Sequence, residues 1–273
     1  MKKPLKSAEL FLTLGLTAAL GACGSPTPTT NESPAADVAP AESPMETHSE
    51  GGEGGEGGES GASSGDADVD YMTALGLMKG HLIVAAELMD LERYDEAQPH
   101  IAHPVDELYA DIEGQLDERG VTEFKTSLNE LNDLAKSAPS DPKMEEAFET
   151  SIASIDSAIE AIPPEQRQSP EFVLTVINGL LAVAAEEYEA AIADDKFVEL
   201  VEYQDSRGFV IYAETLYTNI ASQMQQERPD DHAAIMNAMT ELKTVWPAVE
   251  PPATPVKTPE EVYGLVSQVE LHS

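Results

Sequence analysis

The sequence predicts an all-α fold, in which two related four-helix units pack as one helical bundle behind a disordered tether. Three observations carry that expectation. From about residue 70 onward apolar residues recur at intervals of three and four, and strand-like alternation is absent. Gly80-His81-Leu82-Ile83-Val84-Ala85-Ala86-Glu87 aligns with Gly179-Leu180-Leu181-Ala182-Val183-Ala184-Ala185-Glu186, and Leu128-Asn129, Leu131, Leu134 and Pro139 align with Met236-Asn237, Met239, Leu242 and Pro247, each set at its own constant offset. Ahead of the periodic region, Gly51-Gly52-Glu53-Gly54-Gly55-Glu56-Gly57-Gly58-Glu59 is too poor in apolar side chains to offset the entropy of ordering the chain.

At the N-terminus, Lys2, Lys3 and Lys6 precede an apolar run from Leu10 to Leu20, the pattern of an export signal over 1–22. Residues 23–69 read as the tether, kept flexible by glycine and extended by like charge. Helical periodicity then predicts elements over 69–91, with Asp68 or Asp70 as cap, and over 94–100. Pro104 suits the first position of a third helix, whose buried face is Val105, Leu108, Tyr109, Ile112 and Leu116 and which Gly120 ends. Helices over 121–136 and 142–161 complete a first unit, 70–163, closed by Pro163-Pro164. The second unit, 168–273, repeats the plan and includes a long helix over 197–225.

Composition excludes some functions. With 15 Lys and Arg against 51 Asp and Glu, the formal net charge is −36, which provides no basic footprint for nucleic acid. No zinc-protease His-Glu-x-x-His pair, glycine-rich phosphate loop or nucleophile elbow is present, so no catalytic constellation is complete.

Candidate chemistry gathers in one stretch. His81, His100 and His103, half of the six histidines, fall close together in the first unit, and Glu107 stands four residues after His103. Imidazole nitrogens and a carboxylate form a ligand set for zinc, copper or iron. A second reading makes His81 a core residue and has His100 and His103 cap a helix junction and pair with Asp106 or Glu107. Glu87, Glu186, Asp205 and Arg207 form a candidate buried polar network, with Glu87 and Glu186 as equivalents and Arg207 locking Glu186, Glu187 or Asp205.

Leu20-Gly21-Ala22-Cys23 resembles the lipobox of bacterial lipoproteins, and Cys23 is the chain's one cysteine. That resemblance implies lipidation of Cys23 and, with Gly24 following it, an outer-membrane anchor facing the periplasm. A helical, duplicated, exported chain with histidine and glutamate on adjoining turns is also similar in architecture to the imelysin group, although that group's Gly-x-His-x-x-Glu signature is absent: Gly80 is followed directly by His81. The sequence thus predicts a lipid-anchored periplasmic protein that captures or buffers a transition metal at His81, His100, His103 and Glu107, with a metal transporter or another envelope protein as partner. The alternative is an acidic helical interaction scaffold whose histidines are structural.

Overall fold

The computed structural model describes residue 61 and residues 63–273. The export signal, Cys23 and the Gly-Glu repeat lie outside the described residues.

Asp66, rather than Asp68 or Asp70, caps the first helix, α1 (Ala67–Asp90). Its carboxylate accepts hydrogen bonds from the Asp68 and Val69 amides, two of the donors that a first helical turn leaves open. Asp70 instead accepts from Ser63 Oγ at 2.6 Å and from the Ser64 amide at 2.7 Å. By length and composition α1 could cross a membrane, yet 83% of its most apolar window is buried inside the fold. Its apolarity is therefore matched by packing against protein.

The expected helix start at Pro104 does not occur. Helix α2 (Tyr94–His103) runs through a π turn (Pro104–Leu108) into α3 (Tyr109–Arg119). In a regular helix, Pro104 would deny the His100 carbonyl its donor and press its ring against that carbonyl. The wider π turn takes the proline in without ending the helix, an irregularity frequent at functional sites. Gly120 closes α3 at φ 67°, a left-handed conformation that glycine adopts without steric penalty.

Helices α4 (Lys125–Ser137) and α5 (Lys143–Ile159) complete the first half. After the single turn α6 (Pro164–Arg167) come α7 (Pro170–Ala190), α8 (Leu200–Glu227), α9 (Pro229–Leu242) and α10 (Pro259–Leu271). Thr258 and Glu261 form a reciprocal capping box on α10. Between α7 and α8 lies a small hairpin that periodicity did not predict, β1 (Ile192–Ala193) antiparallel to β2 (Lys196–Phe197). Asp194 and Asp195 turn it at φ 52° and 58°, as a two-residue hairpin loop with both residues left-handed requires.

The helix order of the first half recurs in the second, with the bent α2–α3 rod in the place of α8. One continuous core nevertheless draws on both halves. The aligned Leu131 and Met239 are both buried, whereas Glu87 and Glu186 have different surroundings. Glu87 is partly buried beneath α8, while Glu186 shares with Ala182 and Glu189 the exposed face of α7. The expected partial burial of both glutamates is thus corrected for Glu186.

At the centre, α8 packs most extensively against α7 and α1. Helices α1 and α8 meet backbone to backbone at two glycines. A Cβ on Gly208 would stand 2.3 Å from the Gly80 carbonyl oxygen and 2.8 Å from Val84 Cγ2, and one on Gly80 would stand 2.5 Å from Phe209 Cδ1. Neither position has room for a methyl group. Gly208→Ala should therefore lower unfolding free energy by about 1–3 kcal/mol through overpacking. Gly114→Ala, at a helical site with open space around it, should raise it by ~0.5–1 kcal/mol. Urea unfolding of the two variants checks both signs, and equal effects would contradict the close crossing.

Candidate metal centre

The crossing at Gly80 and Gly208 places the next chemistry-bearing residue of each helix face to face. His81 follows Gly80 on α1, and Asp205 lies one turn before Gly208 on α8. Their side chains meet with His81 Nδ1 2.6 Å from Asp205 Oδ1. From the last turn of α2, His100 brings its Nδ1 to 2.7 Å from the same oxygen. His103, on the same helix, places Nδ1 3.3 Å from Asp205 Oδ2, and its Nε2 lies 3.8 Å from Glu107 Oε1 on the π turn. His81, His100 and Asp205 are fully buried, and His103 nearly so.

The rings are packed as well as polar. His81 stands edge-on to His103 and to Phe209, with ring centroids 4.9 Å apart in each case. His100 also turns its Nε2 to Gln204 Oε1, at 2.8 Å. Because Gln204 Nε2 donates to the Val249 carbonyl at 3.3 Å, the amide oxygen is the atom that faces His100. His100 therefore has an acceptor oxygen facing each ring nitrogen. Burial alone would push the Asp205 carboxyl up. The charges of His100 and His81, with hydrogen bonds from His100 and His103, outweigh it and hold the group well below the usual carboxylate range.

All four residues expected as ligands, His81, His100, His103 and Glu107, thus lie at one locus. Asp205 joins them there. The sequence had assigned Asp205 to a network with Arg207, but the structure separates the two. Arg207 pairs with Glu87 across the α1–α8 contact, and neither Asp205 nor the exposed Glu186 belongs to that pair. Sequence reasoning missed Gln204. Its neighbour Asp205 did carry a signal, since Val201, Gly208 and Phe209 at helical spacing marked an inward face.

One donor atom each from His81, His100 and Asp205 lie within 4.8 Å of one another, close enough to hold one metal ion. Two imidazoles and a carboxylate are the donor set typical of non-haem Fe(II), and imidazole also suits zinc and copper. Asp205 Oδ2 supports the fit: it is buried, and the group facing it, His103 Nδ1 at 3.3 Å, is itself an imidazole nitrogen able to ligate a metal. A metal would replace the hydrogens now on the imidazole nitrogens facing Asp205.

The sequence profile of a family described as the iron permease-associated 4-helix bundle domain matches residues 163–273. That segment contains Gln204, Asp205 and Arg207, whereas His81, His100, His103 and Glu107 lie before it. Neither the curated proteins nor the solved structures provide a match to the chain.

Removing the Asp205 charge should be costly even without metal, because two buried histidines depend on it. Asp205→Asn is expected to lower stability at pH 7 by about 3–5 kcal/mol. A depressed folded-state pKa gives stability that is full above the unfolded value of 3.8 and is lost as pH falls from there through the folded value. Urea midpoints of parent and variant should therefore differ at pH 7 and draw together below pH 3.8. A gap that persists unchanged at pH 3 would contradict the ionised, paired state of Asp205.

Proposed function

We propose that this chain is an iron-binding protein of the cell envelope that captures the ion for a permease. His81, His100 and Asp205 are its inner ligands, with His103 and Glu107 completing the set at the side of the π turn. The observation that carries this reading is the convergence, from three helices, of two imidazoles and a carboxylate on one fully buried point. Iron is favoured over zinc and copper by the donor set and by the description of the matching family as iron permease-associated. Here the ion is cargo, bound and released without a reaction at the site.

The acidic scaffold is the competing reading, favoured by the satisfaction of both His100 nitrogens within the chain. Metal analysis decides between them. Purified chain incubated anaerobically with Fe(II) and dialysed should retain it stoichiometrically, with affinity falling on acidification as protons compete for the nitrogens. The double variant His81→Ala/His100→Ala should retain none. Equal retention by parent and double variant would assign the metal to surface carboxylates, and retention by neither would favour the scaffold.

For attachment, we propose the lipid anchor at Cys23 that the lipobox resemblance implies, with the Gly-Glu tether giving the bundle reach towards its partner. Multiple acyl chains hold stably where one holds marginally. Cys23→Ser should move the protein from the membrane fraction to the soluble one or leave its signal uncleaved. A processed Cys23→Ser protein that still sediments with membranes would refute the anchor.

A further inference from the structure

Gln204 is completely buried beside the centre, and no metal-ligand role accounts for it. Its amide has one orientation consistent with its neighbours. The Val249 carbonyl can only accept, so the NH2 group faces Val249 and the oxygen faces His100 Nε2.

Val249 is held in turn. It lies between α9 and α10 in a connection that carries Pro247, Pro251, Pro252 and Pro255. Proline removes backbone donors and restricts the chain, leaving carbonyls of this connection for side chains to bind. Three successive residues are tied down: Tyr203 OH donates to the Ala248 carbonyl at 2.9 Å, Gln204 to Val249, and Arg93 Nη1 to Glu250 Oε1 at 2.6 Å. The connection is thus a strap fastened across the base of the centre by α8 and by the start of α2.

We infer that Gln204, oriented by this strap, is the positioning residue that assigns Nδ1 of His100 as its metal-ligating nitrogen. The inference rests on the proposed metal site and deepens it. An oxygen at 2.8 Å from Nε2 requires hydrogen on that nitrogen, so a neutral His100 presents its lone pair at Nδ1, towards Asp205 and His81. Outer partners of this kind set the tautomer and ring orientation of a ligating histidine, and losing one typically weakens metal binding 10–100-fold. The strap also makes the second half contribute more than Asp205, through a backbone carbonyl that sequence comparison would not reveal.

Two measurements on the full chain test the inference. With Zn(II) as a diamagnetic probe, nitrogen-15 NMR of the parent should find His100 coordinated through Nδ1 with hydrogen on Nε2; coordination through Nε2 would overturn the assignment without any variant. By calorimetric Fe(II) titration, Gln204→Met, which offers no acceptor oxygen, should bind ~10–100-fold more weakly than the parent. Parental affinity in Gln204→Met would refute the positioning role while leaving the metal site standing. A parent that binds neither ion would refute both, so the two failures are distinguishable.

Discussion

The contact between α1 and α8 at Gly80 and Gly208 is closer than any side chain would permit, and the buried centre depends on that closeness. A methyl group at either position would meet atoms of the opposite helix at 2.3–2.5 Å. Because the two backbones touch, His81 and Asp205, each within one turn of the contact, come within hydrogen-bonding distance although they are 124 residues apart. The same crossing lets Arg207 reach Glu87, whereas Glu186 is exposed on α7. Positions that align in sequence thus differ in surroundings: Glu87 lies against Arg207 of α8, and Glu186 faces outward.

Asp205 is the second constraint. Among the described residues it is the one acidic side chain in the fully buried class, in a chain with 51 Asp and Glu. The surface carboxylates can attract cations only diffusely. Asp205, desolvated and surrounded by imidazoles, has its charge held in place by His81 and His100. In the proposed site, the imidazole hydrogens that this carboxylate accepts would give way to a metal ion, a use of buried polarity beyond stability.

Local pattern made part of this legible. The three- and four-residue spacing shows an all-helical body, and His81, His100, His103 and Glu107 could be placed together because one short turn returns α2 alongside α1. Asp205 could be read as inward-facing but was matched to Arg207, since helical spacing gives the face and not the partner across the core. Pro104 read as a helix start because the rule for its missing donor does not anticipate a π turn. Gln204 and Val249 were beyond reach because their roles depend on where a proline-rich connection passes beneath another helix. The imelysin resemblance rested on architecture alone, and the matching bundle family lies in the half without these histidines.

The central claim is that a specific centre of histidine and carboxylate, rather than the acidity of the surface, holds the metal. Iron-edge X-ray absorption of the chain loaded with one equivalent of Fe(II) tests this most directly, since imidazole rings add characteristic outer-shell scattering that carboxylates and water do not. The account predicts a mixed nitrogen and oxygen shell containing at least two imidazoles, both lost in the His81→Ala/His100→Ala chain. A shell of oxygen alone, the same in both proteins, would contradict it.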